Sequence, residues 1–173
     1  ARLGAIPINL PGSEILPALQ TGAIDATEWV APYNDLAFGF HKVAKFYYAP
    51  GVHEPGPGLA LTINAEAFDQ LPSDLQAIVQ RAAGDEAFRM LCEMTNGNAE
   101  ALGVLLNKYN VQLRRFPEVV YDAMLSAGED VARETAEKDP FTAKVYESWS
   151  VFRKKVVALA PLTELGYMGL RDA

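Results

Sequence analysis

The chain has a single cysteine, Cys92, in 173 residues. No internal disulfide can form, and a metal centre built on cysteine thiolates is excluded. Cys92 falls in a strongly helical stretch, where it is expected as a small buried filler. No apolar run approaches the ~18 residues of a membrane-crossing helix, and no basic-then-apolar leader opens the chain. Basic charge is also in deficit. Fifteen Lys and Arg face twenty-two Asp and Glu, for a net charge of −7, so no global basic footprint for nucleic acid or anionic lipid exists. A local anion site remains compatible with that total. Internal repeats and low-complexity tracts are absent. So are the GxSxG elbow, the phosphate-cradling glycine loop, HExxH and the dinucleotide fingerprint.

What is present is a globular composition, 50% hydrophobic and 21% charged, long enough for one domain or two small lobes. The opening "ARLGAIPINLP" reads as the middle of a fold and implies chain upstream. Ile6, Ile8 and Leu10 alternate as in a short strand. In "PGSEILPALQTGAI", Ser13 is the expected N-cap and Gly22 the C-cap, with Glu14 and Pro17 near the first turn. "IDATEWVAP" follows as a strand and "PYNDLAFGFHKVA" as a second helix. This β-α-β-α order is that of a parallel sheet with crossovers. Phe46–Tyr48 reads as a strand, "PGVHEPGPG" as a shaped loop, and Leu59, Leu61 and Ile63 as a further strand. Ser73 and Gln76 form a capping-box pattern. It opens a helix, or two joined end to end, from Asp74 to about Lys108, with a bend expected near Gly84, Gly97 or Gly103. "VQLRRF" is a short strand, and Pro117 starts a helix to about Lys138. A final helix carries Phe141, Val145, Trp149, Phe152, Val156 and Leu159 in one narrow stripe. That stripe suits packing on the same chain or on a second subunit.

Glu28 and Trp29 end one strand, and Glu54 lies in the loop after the next, the ends where open α/β sheets bind ligands. Two carboxylates on one rim stay ionised together if a cation lies between them. A hard cation such as Na⁺ or Ca²⁺ takes carboxylate and carbonyl oxygens. Alternatively the two are unrelated surface glutamates, or an acid/base pair of the glycosidase type. His53 adjoins Glu54 and can line the pocket, and Tyr33 follows the rim. Tyr47 and Tyr48 are expected in packing, and His41 on the exposed side of its helix.

"PGSEILPALQTGAIDATEWVAPYND", with "FYYAPGVHEPG", resembles the extracytoplasmic solute receptors of TRAP transporters, the DctP type, in the branch that binds 2-oxo acids and other small monocarboxylates. The resemblance spans the whole chain but only the C-terminal half or so of such a receptor. It implies an α/β fold, the C-terminal portion of a two-lobed periplasmic binding protein. That portion would be mainly parallel sheet with crossover helices, plus long C-terminal helices. Residues 1–70 would be part of the ligand-binding lobe. Residues 71–173 would pack on the lobes, with 140–160 the candidate dimerisation helix.

The Glu28 carboxylate, the Trp29 carbonyl and the Glu54 carboxylate match the metal positions of that branch. Trp29, Glu28, Tyr33 and His53 would face the ligand. The arginine that pairs with the ligand carboxylate, and an amide residue that helps hold the metal, belong to the upstream half, and Arg2 is not that arginine. The function so implied is capture, not catalysis, of a small 2-oxo or 2-hydroxy monocarboxylate through Na⁺ or Ca²⁺, with TRAP membrane subunits as partners and a homodimer as the candidate assembly. Pyruvate, a longer oxo acid and lactate all satisfy the pattern. The rival is an acid/base enzyme using Glu28 and Glu54.

Overall fold

The computed structural model describes residues 1–53, 56 and 58–171. The chain divides into two compact units, one of Ile6–Phe116 and one of Ala1–Ala5 with the chain from Pro117 on. The expected boundary between residues 70 and 71 falls inside the first of these.

In the Ile6–Phe116 unit, helix α1 runs Gly12–Thr21. It starts one residue before the expected Ser13 cap, because Pro11, with ψ 143°, sets the extended entry without any side-chain cap. Gly22 ends it as expected, at φ +72°, with its amide directed to the Ala18 and Leu19 carbonyls. Pro17 lies past the first turn and so forfeits one helical hydrogen bond. Helix α2, Pro32–Phe38, begins on its proline and closes on Gly39 at φ +79°. A single 3₁₀ turn, Phe40–Lys42, follows.

Strand β1, Phe46–Tyr48, pairs in parallel with β2, Gln112–Arg114, placing Phe46 opposite Gln112 and Tyr48 opposite Arg114. Between them lie the short α3, Ala65–Asp69, capped by the Asn64 side chain on the Ala67 amide, and α4, Ser73–Asn107. The latter is one helix of 35 residues, not two. Its expected capping box does not form. Pro72 precedes the helix, and the Gln76 amide donates instead to the Phe68 and Leu71 carbonyls, tying α3 to α4. Ile15, Phe40, Ala101, Leu105 and Val111 are the buried apolar core of this unit.

The α/β class holds, but among the described residues the sheet is only this parallel pair. Residues 6–10, 24–30 and 59–63, expected as strands, carry no ladder. Most of their apolar side chains are outward, with Ile6 86% and Leu59 70% exposed, while Leu10, Ile24 and Trp29 are half-buried. Alternation makes a segment extended and two-faced, but a strand also needs a neighbour to bond. Cys92 is exposed on α4, not buried. His41 is not on an open helix face: it stacks on Tyr109 with ring centroids 4.0 Å apart.

In the other unit, α5 (Glu118–Ala136) packs against α6 (Pro140–Leu159). The Asp139 carboxylate caps α6 by accepting from the Phe141 and Thr142 amides at 3.0 and 2.9 Å. Arg2 pairs with Glu134, so its guanidinium is engaged inside this unit. A further helix, α7 (Glu164–Arg171), was not anticipated from the sequence. The α6 stripe is left largely uncovered by the described residues: Phe141, Val145, Trp149, Phe152, Val156 and Leu159 are all exposed. Phe141, Val145, Trp149 and Phe152, with Lys144 and Ser148, line a shallow groove of about 510 Å³.

Candidate functional site

The segment between α1 and α2 forms an irregular rim whose shape is set by side chains. The Trp29 indole lies against the first residue of α1. A Cβ added at Gly12 would fall 2.7 Å from the Trp29 ring, so only glycine lets the indole sit there. Phe38 and Phe40 close its other sides, with centroids 4.8 and 6.4 Å away. Among the described residues the buried Trp29 Nε1 has no hydrogen-bond partner. Such a donor is costly to leave unpaired. It is therefore a place where an acceptor from a bound molecule would be favourable.

Glu28, next to it, has its side chain 57% exposed, and His53 Nδ1 lies 3.7 Å from Glu28 Oε2. That distance is too long for a hydrogen bond, so the structure brings Glu28 and His53 together without joining them. Glu54, the third expected oxygen donor, lies outside the described residues. Among the described residues no three His, Cys, Asp or Glu side chains converge on one point. A carboxylate and a backbone carbonyl, the groups Glu28 and Trp29 carry, are hard oxygens of the kind that suit Na⁺ and Ca²⁺.

Tyr33 is the second residue of α2, half exposed, with its ring over Gly97 of α4; a Cβ there would sit 3.0 Å from the ring. Its amide donates to Asn98 Oδ1 at 3.0 Å. Asp35, also on α2, is buried; it accepts from the Tyr47 hydroxyl at 2.6 Å and from the Val30 amide at 3.4 Å. Burial raises the Asp35 carboxyl above its ordinary value, and those two donors oppose the shift. Burial and Asp35 together push the Tyr47 hydroxyl far up. Burial, then Lys42 and Lys108, lower the His41 imidazole. Tyr47 is thus more than packing, whereas Tyr48 does pack, stacked on Phe116 at 4.2 Å.

Sequence reasoning missed Asp35, Asn98, Gly97 and Gly12. A carboxylate two residues after a tyrosine that opens a short helix is a weak signal for burial, and Asn98 is 65 residues from its partner.

The family model for bacterial extracellular solute-binding protein family 7, DctP, matches residues 1–139. The chain belongs to this family. Among DctP-family relatives, it is 40% identical over 167 residues to the monocarboxylate 2-oxoacid-binding periplasmic protein of Nostoc sp. PCC 7120, covering 96% of this chain and 46% of that protein. Among solved structures, it resembles a TRAP periplasmic solute-binding protein of Pseudoalteromonas atlantica T6c with bound sodium and pyruvate. The TM-score is 0.87 at 37% identity, over 97% of this chain and 51% of that one. It also resembles a TRAP solute-binding protein of Bordetella bronchiseptica RB50, a mixed-occupancy dimer with copurified calcium and picolinate. There the TM-score is 0.89 at 32% identity, over 98% and 50%. This DctP-family chain therefore spans about half the length of these relatives. No helix among its described residues is long and apolar enough to cross a membrane.

Proposed function

We propose that the chain supplies one side of the ligand site of a periplasmic TRAP receptor for a small 2-oxo or 2-hydroxy monocarboxylate. The Glu28 carboxylate, the Trp29 carbonyl and the Glu54 carboxylate hold Na⁺ or Ca²⁺, which neutralises the ligand's charge and orients its oxygens. The Trp29 indole walls the ligand from water. Tyr33 and His53 border the same space. The upstream half of the receptor completes the site, and residues 1–70 are the ligand-binding portion of this chain. The observation that carries the reading is the pairing of an outward Glu28 carboxylate with a buried Trp29 N–H that has no partner among the described residues, in a chain 37% identical to a receptor holding sodium and pyruvate.

The relatives are named as binding proteins, which favours capture over the acid/base enzyme. TRAP membrane subunits would accept the released ligand. The exposed α6 stripe, together with a relative that is a dimer, supports a homodimer through α6.

The test is calorimetric titration of the intact protein with pyruvate in NaCl and in choline chloride. Binding is expected in sodium and weaker in choline. Glu28→Gln is expected to cost about ten- to a hundredfold in affinity, the worth of one charge-assisted contact. Equal affinity in both salts excludes Na⁺, and affinity that also survives removal of Ca²⁺ with EGTA, or an unaffected Glu28→Gln, overturns the cation. Turnover of pyruvate by the protein would favour the enzyme.

A further inference from the structure

The rim has no regular secondary structure of its own between Gly22 and Pro32, so its geometry must be imposed from outside. Two side-chain acceptors hold the backbone where the rim ends and α2 begins. At Val30, the residue after Trp29, the amide donates to Asp35 Oδ1, while Oδ2 of the same carboxylate accepts from Tyr47 on β1. At Tyr33, just past the rim, the amide donates to Asn98 Oδ1 of α4. The first contact fixes the rim to the sheet and the second to the long helix, and Gly97 lets the Tyr33 ring lie close enough for the second to form. Neither Asp35 nor Asn98 is among the expected ligand or metal contacts.

We propose that Asp35, braced by Tyr47, and Asn98 are positioning residues that clamp the rim on its C-terminal side, at Val30 and Tyr33, and so set where the Glu28 carboxylate, the Trp29 carbonyl and the indole just before them stand. The proposal deepens the receptor reading and rests on it for its effect on ligand, but the clamp itself is a statement about backbone order. A positioned donor set holds a ligand without first paying to order itself. Losing either clamp point therefore appears as lost affinity even though no ligand contact is removed.

Three variants of the intact protein test this: Tyr47→Phe, which deletes only a hydroxyl, Asn98→Leu, which deletes the acceptor at similar volume, and Asn98→Asp, which keeps it. Two quantities are read: pyruvate affinity in NaCl, and amide hydrogen exchange resolved by residue. Tyr47→Phe and Asn98→Leu are each expected to weaken pyruvate about five- to tenfold, with Asn98→Asp within about twofold of the parent. Val30 is expected to exchange faster in Tyr47→Phe and Tyr33 faster in Asn98→Leu, while the amides of α1 and α5 keep their rates. Unchanged affinity in both deletions overturns the proposal. So does an Asn98→Asp as weak as Asn98→Leu, or exchange that rises evenly through α1 and α5. Should the parent bind no pyruvate, the receptor reading fails. Exchange then decides the clamp alone, and unaltered Val30 and Tyr33 rates refute it.

Discussion

Asp35 is 9% exposed, and its burial lifts the carboxyl above the ordinary value of 3.8 against the pull of the Tyr47 hydroxyl and the Val30 amide. A carboxyl raised in the fold binds its proton more tightly there than in the unfolded chain. Its contribution is most favourable below the unfolded value and declines as pH rises through the folded one. Asn at this position keeps the shape and carries no charge, with its oxygen on Val30 and its amide toward the tyrosine oxygen. The urea midpoint of Asp35→Asn relative to the parent, measured from pH 3 to pH 7, is therefore expected to rise with pH; a flat difference would show that Asp35 titrates as though unfolded. At this scale residue type alone singles out Glu28 and Trp29 as a carboxylate and an indole side by side. It hid Asp35 and Asn98 because their roles depend on which backbone amide they meet, and the amide of Tyr33 is supplied with an acceptor from another helix. Gly12 was equally hidden: its helical backbone needs no glycine, and only the indole beside it does.

Helices α1, α2, α4, α5 and α6 were legible because their hydrogen bonds close within a few residues, so composition, prolines and terminal glycines report on them directly. The stretches 6–10, 24–30 and 59–63 were read as strands from alternation. That pattern reports a face and not a partner, and only β1 and β2 find one another among the described residues. Helix α7 escaped notice because Pro161, Gly166 and Gly169 interrupt its surroundings. The start of α6 offers an element-scale test. The Thr142 hydroxyl, then the Thr142 and Phe141 amides, hold the Asp139 carboxyl below its ordinary value. The cap therefore stabilises above the unfolded carboxyl value and is lost as pH falls through the lower folded one. Asp139→Ala is expected to lower the thermal midpoint by a few degrees at pH 7, with the gap to the parent closing toward pH 2. A gap independent of pH would assign the loss to packing instead of the cap.

Taken whole, the chain carries more outward apolar surface than its own two units use. The six stripe residues of α6 lie on one helix face and are 44–75% exposed, and aligned exposed apolar residues of that kind suit an association surface. Large aromatics near the centre of such a face dominate binding. Phe152→Asp is accordingly expected to weaken self-association at least tenfold in sedimentation equilibrium while pyruvate affinity stays unchanged; no measurable self-association, or an unaltered constant, would remove the stripe as an association surface. The family could be read from a stretch of some forty residues, whereas its second lobe could not, since the relatives are twice as long as this chain. The lone thiol of Cys92 points outward from α4, six residues before Asn98, or about 9 Å along the helix axis. A maleimide dye would attach there without prior mutagenesis of this chain, and its emission would watch the long helix as the rim fills and empties.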